Sequence, residues 1–221
     1  MTKPNLAILG LGSRSTTFYI NELNSLYKKK NGGYSTFPFL LLNSNFDWIN
    51  KLLPHVSKEL DNTVNYYIKE IEKMDVENLL IPNITLHETI DKLKINKHIL
   101  HPITLSITKI KQNNWDKIVI FGSLYGMKST YLKSCFLNNG IKLIHPSEND
   151  MEKIDEVRKE IYNETESSEI IENYYSLLKK YTTEHPVLIA CTELSIFCPE
   201  NDKIIDMAQV QLKEAINSTL Y

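Results

Sequence analysis

The chain has 221 residues, enough for one large domain or two small ones with a real core. Its 25 Lys and Arg against 27 Asp and Glu leave a formal net charge of −2, which excludes the basic footprint of a nucleic-acid-binding protein. Three cysteines without a C-x-x-C pair exclude a disulfide framework and fit a reducing compartment, and no apolar run approaches membrane-spanning length.

Met1-Thr2-Lys3-Pro4-Asn5 leads into a strand and not into a signal peptide, so a cytoplasmic protein is expected, with no membrane partner. The histidines show no pairing suited to a metal, and no P-loop spacing occurs. Leu6 to Leu9 reads as an apolar strand. It stops at Gly10-Leu11-Gly12-Ser13-Arg14-Ser15-Thr16, and a helix with Phe18, Tyr19, Leu23 and Leu26 follows. Backbone N–H groups and hydroxyls at a helix start suit an anion, although an ordinary βα loop explains the same residues. With two glycines in place of three, the dinucleotide fingerprint is absent. Lys28-Lys29-Lys30 complements the dipole at the helix end.

Asn31-Gly32-Gly33 is a loop, and Phe37 to Leu42 reads as a second strand closed by Asn43-Ser44-Asn45. Leu60, Val64, Tyr67, Ile68 and Ile71 define an amphipathic helix over Ser57 to Lys73. Leu79 to Ile81 is a third strand, closed by Pro82-Asn83-Ile84-Thr85-Leu86-His87 and followed by a helix through Ile90 and Leu93. Ile99 to Ile103 reads as a short strand and Leu105 to Lys111 as a helix. Lys117 to Phe121 is a strand that ends in Gly122-Ser123, with another helix beginning near Ser129 to Tyr131. Ile141 to Ile144 is a strand, and two charged helices fill Asp150 to Tyr162 and Ser168 to Tyr181. Val187-Leu188-Ile189 is aliphatic without alternation, the mark of a strand buried on both faces. It ends abruptly in Ala190-Cys191-Thr192-Glu193. Ligands in open α/β sheets sit beyond the carboxyl ends of such strands. Cys191 stands at that place, where it is either a reactive thiol or a small buried hydrophobe. Ile204 to Asp206 and Met207 to Leu220 read as a short strand and a closing helix. Cys135 and Cys198 read as packing residues.

The two halves repeat. Ala7-Ile8-Leu9-Gly10 matches Val119-Ile120-Phe121-Gly122, and Leu79-Leu80-Ile81-Pro82-Asn83 matches Val187-Leu188-Ile189-Ala190-Cys191, at offsets of 112 and 108 residues. Duplication of one α/β unit explains both offsets. The expected architecture is α/β with two pseudo-symmetric parallel-sheet domains and the active site in the cleft between them. The domains are expected at 1–100 and 101–203, with the tail 204–221 returning to the first.

Over nearly its whole length the chain resembles the aspartate/glutamate racemase family. The resemblance rests on Ile8-Leu9-Gly10 with Ser15-Thr16, on Thr85-Leu86-His87, on Gly122-Ser123 through Met127 to Tyr131, and most specifically on Ala190-Cys191-Thr192-Glu193. It implies a cofactor-independent enzyme, a small carboxylate substrate such as aspartate or glutamate, and a homodimer. In the family two cysteines usually flank the substrate α-carbon, one removing the α-proton as thiolate and the other delivering a proton to the opposite face. Inversion through a carbanion needs an acid and a base on opposite faces, and groups around the carboxylate must hold the developing charge. Thr16, Thr85, Ser123 and Thr192 suit that task, and Ser15, Asn45 and Glu193 stand at the same strand ends. Arg14 is either a bidentate carboxylate clamp or a solvated loop arginine. A thiol can serve as the base if helix N-termini lower its pKa.

The chain departs from the family at one decisive place. The first cysteine position is Asn83, whose carboxamide has no accessible proton-transfer pKa. Three readings stay open: a racemase that uses Cys191 with another group in the role of the missing thiol, a single-cysteine decarboxylase or lyase of the same fold, and a racemase-like binding protein without racemase activity.

Overall fold

The computed structural model describes residues 3–218 and divides into two compact units, one of residues 3–101 with 211–218 and the other of residues 102–210. The first unit contains β1 (Leu6–Gly10), α1 (Ser13–Asn31), β2 (Leu40–Asn43), α2 (Phe46–Asn50), α3 (Lys58–Glu72), β3 (Asn78–Leu80), α4 (His87–Ile90) and β4 (His98–Ile99). The second runs through α5 (Pro102–Gln112), β5 (Lys117–Phe121), α6 (Leu124–Met127), α7 (Thr130–Leu137), β6 (Lys142–Ile144), α8 (Glu148–Asn163), α9 (Ser168–Glu184), β7 (Val187–Ile189), α10 (Thr192–Ser195) and β8 (Ile204–Asp206). The closing helix α11 (Met207–Ser218) starts in the second unit and ends in the first. Its expected extension to Leu220 lies outside the described residues.

Each unit is built on a four-stranded, wholly parallel sheet, in the orders β2-β1-β3-β4 and β6-β5-β7-β8. The repeat read from the sequence holds to the residue. Ala7 pairs with Leu79, and the matched Val119 pairs with the matched Val187. Each sheet therefore reverses strand order between its two matched central strands, β1 and β3 in one, β5 and β7 in the other.

Parallel strands need crossovers, and the crossover helices bury the sheet on both faces. Ala7, Leu9, Leu79 and Ile81 pack against Leu60, Val64, Ile68 and Ile71 of α3. Leu6, Ile8 and Leu80 alternate to the opposite face and are equally buried. This double burial is why the central strands read as continuous apolar runs. In the second unit α8 and α9 are joined through Asp150, which accepts from Lys180 Nζ and Tyr181 Oη, each at 2.6 Å. The end of α11 is held in the first unit by Gln211, which accepts from Tyr19 Oη at 2.6 Å and donates to the Leu100 carbonyl at 2.7 Å.

Three local expectations change. Ile99 to Ile103 is a strand only at its start, because Pro102 opens α5, where its fixed φ and missing N–H cost nothing. The second strand begins at Leu40 and not at Phe37. Ile204 to Asp206, grouped with the returning tail, pairs with β7 and completes the second sheet, so the segment in the first unit begins at 211. Among the described residues no helix is long and apolar enough to cross a membrane.

The first unit also holds a buried histidine, His87, packed against a half-buried one, His101. His87 Nδ1 lies 2.8 Å from the Asn83 carbonyl, which can only accept, so Nδ1 carries the proton. The ring meets His101 edge to face at 4.7 Å between centroids, and His101 Nε2 lies 3.1 Å from Asp91 Oδ1. Burial, with His101 alongside, pushes the His87 pKa down to about 3. The unfolded chain therefore takes up a proton below about pH 6.5 that the folded chain refuses, and stability falls as pH drops through that value. Between pH 7 and 5 the loss from His87 is on the order of 2 kcal/mol. Asp206, raised to about 6, acts in the opposite sense between about pH 4 and 6, so the difference between proteins is the informative quantity. Urea unfolding at pH 7 and 5 should show a smaller loss in His87→Gln than in the unmodified protein. Equal losses would contradict the assignment.

Candidate functional site

In the second unit the chemistry-bearing residues collect beyond β5 and β7. The Ala190 amide donates to the Phe121 carbonyl at 2.7 Å and closes the ladder. A Cβ on Gly122 would sit 3.2 Å from the Ala190 carbonyl oxygen, so glycine lets the two strand ends lie this close. Cys191 follows in extended conformation, as the residue that enters α10. Its side chain is buried, and its thiol donates to Glu193 Oε2 at 3.0 Å. The Thr192 hydroxyl donates to the same oxygen at 3.2 Å. Ser123, past the end of β5, caps α6 by accepting from the Gly126 amide at 3.0 Å.

A residue absent from the expected set completes this group. Arg158 on α8 donates from Nε to Asp155 Oδ1 at 2.8 Å, and its guanidinium interacts electrostatically with both Cys191 and Glu193. Asp155 is buried and also accepts from the Leu124 amide at 3.2 Å and from Lys159 Nζ at 2.7 Å. One carboxylate thus fastens the Ser123 loop to α8 and aims the arginine. Burial opposes the charge on Arg158, but Asp155, Cys191 and Glu193 outweigh it and raise its pKa. A signal for this was present in the sequence. Asp155 lies beside Ile154 on a buried helical face with Met151 and Ile161, where an unpaired carboxylate would be costly.

The thiol is the opposite of what its position at a helix start suggests. Burial raises the Cys191 pKa well above the ordinary thiol range, and the charge and hydrogen bond of Glu193 raise it further. Arg158 and the Leu194 amide act the other way and are outweighed. Four residues of α10 carry too few aligned peptides to reverse that balance. Cys191 is a neutral thiol at pH 7, a proton donor with a carboxylate as its acceptor. Glu193, placed by the sequence among the candidate binding residues at the strand ends, accepts from this thiol.

In the first unit the expected residues hold their own loops. Ser15 Oγ donates to the Gly12 carbonyl at 3.1 Å, and Thr16 Oγ1 accepts from the Leu11 amide at 3.0 Å. Both fold the β1–α1 turn, and Arg14 is half-buried in the first turn of α1. Asn45 is exposed and caps α2, accepting from the Asp47 amide at 3.3 Å. Asn83 is half-buried past β3, where its Oδ1 accepts from the Leu86 amide at 3.0 Å. Thr85 is half-buried in the same turn. β1 and β3 are neighbours, so the Arg14–Thr16 turn and the Asn83–Thr85 turn share one end of the sheet, while Asn45 follows the edge strand β2. Among the described residues no group of three or more His, Cys, Asp and Glu side chains is arranged to hold a metal ion.

No family model matches the sequence, and no curated protein matches it. Solved structures do. A candidate Asp/Glu racemase from Yersinia pestis superposes with a TM-score of 0.82 at 20% identity, covering 98% of this chain and 99% of its own. An aspartate racemase homologue from Pyrococcus horikoshii gives 0.82 at 16% identity with both chains covered in full, at 100% each. The aspartate racemase of Picrophilus torridus gives 0.79 at 18% identity, covering 98% of this chain and 94% of its own. The chain has the two-sheet α/β fold of the Asp/Glu racemases.

Proposed function

We propose that the protein is a cofactor-independent enzyme of racemase type that acts on a small dicarboxylate such as aspartate or glutamate, with Cys191 exchanging a proton at the substrate α-carbon. The observation that carries this reading is the Cys191 thiol hydrogen-bonded to Glu193 beside Arg158, at the carboxyl end of β7 where the sheet reverses strand order. Arg158 uses Nε on Asp155, which leaves its terminal N–H groups to take a carboxylate. Ser123 and Thr192 lie past the same two strand ends. Arg14, Ser15, Thr16, Asn45 and Thr85 are the corresponding candidates of the first unit.

The acid–base logic follows from the thiol's resting state. Cys191 S–H can protonate an α-carbanion and become a thiolate stabilised by Arg158. In the reverse direction Glu193 takes the thiol proton, and the thiolate then removes the α-proton. The position matched to Cys191 by the repeat is Asn83, which cannot ionise and already uses its Oδ1 on a backbone amide. Proton transfer is therefore expected on one face of the α-carbon.

The same observations favour a second reading, a single-thiol decarboxylase or lyase. Decarboxylation makes the carbanion without a base and needs only a proton donor, and Cys191 rests as one.

Proton NMR in deuterated water, with each hand of aspartate and glutamate, tests the proposal. One hand should lose its α-proton with little inversion, and Cys191→Ala should slow that loss by about 10²-fold or more. Asn83→Cys should raise inversion relative to the unmodified protein. Arg158→Ala should raise KM, as loss of a carboxylate contact does, and lower kcat, as loss of the charge that stabilises the thiolate does. Brisk racemisation that survives Cys191→Ala would overturn the proposal. Release of carbon dioxide from a substituted malonate, with no exchange on amino acids, would establish the second reading instead.

A further inference from the structure

Four residues past Cys191 and four past Asn83, the two units repeat one arrangement with different side chains. In the second unit the Ser195 hydroxyl shares its one proton between Asp206 Oδ1 at 2.7 Å and the Cys191 carbonyl at 3.1 Å, while the Ser195 backbone N–H donates to the same carbonyl at 3.2 Å. In the first, His87 Nδ1 lies 2.8 Å from the Asn83 carbonyl, and its ring packs against His101. The sheet registers make His101 and Asp206 matched positions. Leu79 pairs with Ile99 and the matched Val187 pairs with Ile204, so each partner stands two residues beyond its paired isoleucine. Each also directly precedes a helix, α5 at Pro102 and α11 at Met207.

The units share the bond back to the carbonyl of the presented residue, while the supporting partner is a hydrogen-bonded carboxylate in one and a ring contact in the other. After the last rung of the ladder, the chain must leave the sheet, present one side chain and turn into a short helix. A side chain one helical turn later, bonded back to the carbonyl of the presented residue, fixes that exit.

We infer that Ser195 and Asp206 form a brace that sets the position of the Cys191 thiol, with Asp206 acting through Ser195 on the Cys191 backbone. Both are buried positioning residues. Asp206 is itself fixed, because its Oδ1 also accepts from the Ala208 amide at 2.8 Å and the Gln209 amide at 3.4 Å. The brace thereby ties the Cys191 loop to the first turn of α11. Tyr174 supports the next residues from α9, donating to the Leu194 carbonyl at 3.3 Å. The titratable groups that face Asp206 are Tyr174 from α9 and Cys198 from the segment after α10. The inference takes the importance of Cys191 from the function proposed above, but the position of the thiol is measurable without any substrate.

The test is iodoacetamide alkylation of the intact protein between pH 6 and 10, quantified on the Cys191 peptide by mass spectrometry. The brace holds the thiol buried and against Glu193, so alkylation of the unmodified protein should be slow, with a midpoint above the ordinary thiol value. Ser195→Ala should speed Cys191 alkylation at pH 8 by about tenfold or more and move the midpoint down towards about 8.5. Ser195→Thr, which restores the hydroxyl, should return both to the unmodified values. Asp206→Ala should mimic Ser195→Ala, and the double variant should exceed neither single change, since the two act as one unit. If Asp206→Ala does not fold, Asp206→Asn, which keeps the acceptor, should match the unmodified protein. An unchanged profile in Ser195→Ala, or multiplying effects in the double variant, would overturn the brace. Absence of α-proton exchange with an intact brace would overturn only the proposed function.

Discussion

The hydrogen bond from the Ala190 amide to the Phe121 carbonyl, 2.7 Å long, is the last rung between β5 and β7, and the chemistry of the second unit begins immediately beyond it. It fixes where the backbone leaves the sheet, and so where Cys191 stands. Gly122 permits it, since any side chain there would press on the Ala190 carbonyl. Parallel order makes both strand ends point the same way, and the reversal of strand order opens a gap between the crossovers that leave them. The fold delivers Ser123 and Cys191 to one place because β5 and β7 are neighbours.

What happens at that place is decided by which group gives up its charge. A carboxylate, a guanidinium and a thiol share a half-buried space. Glu193 and Arg158 offset each other, and Arg158 has Asp155 as a second partner. The thiol loses least by staying neutral, because a neutral S–H needs little solvation and finds an acceptor in Glu193. A nearby positive charge is usually invoked to activate a cysteine. Here burial and the closer carboxylate win, and the result is a poised acid.

Much of the fold was legible in the sequence, for a physical reason. β5, β7 and β8 carry the bounds expected, most plainly β7, because a central strand covered by helices on both faces must be apolar at every position. The offsets between matched segments became sheet registers. Pro102 misled, since it falls within the apolar stretch Ile99 to Ile103 that reads as a strand, whereas it is the first residue of α5. At the site Cys191, Thr192 and Glu193 were legible because strand, turn and helix start are local events. Arg158 was legible only through Asp155, the carboxylate on a buried helical face three positions before it, because its other partners Cys191 and Glu193 are more than 30 positions away along the chain. The roles of Ser15, Thr16 and Asn45 as fasteners of their own turns were equally hidden, since a hydroxyl or carboxamide past a strand end looks the same whether it serves a ligand or its own backbone.

The central claim is that Cys191 rests as a neutral thiol held by Glu193, and titration of the thiol tests it most directly. In protein labelled with ¹³C at the cysteine β-carbons, the Cys191 resonance, assigned with Cys191→Ser, is followed from pH 6 to 11. The account predicts no thiolate step in the unmodified protein below about pH 9, above the ordinary thiol value, and a lower midpoint in Glu193→Gln, where the carboxylate charge is gone. A thiolate step near pH 7 in the unmodified protein, or a midpoint unmoved by Glu193→Gln, would contradict it.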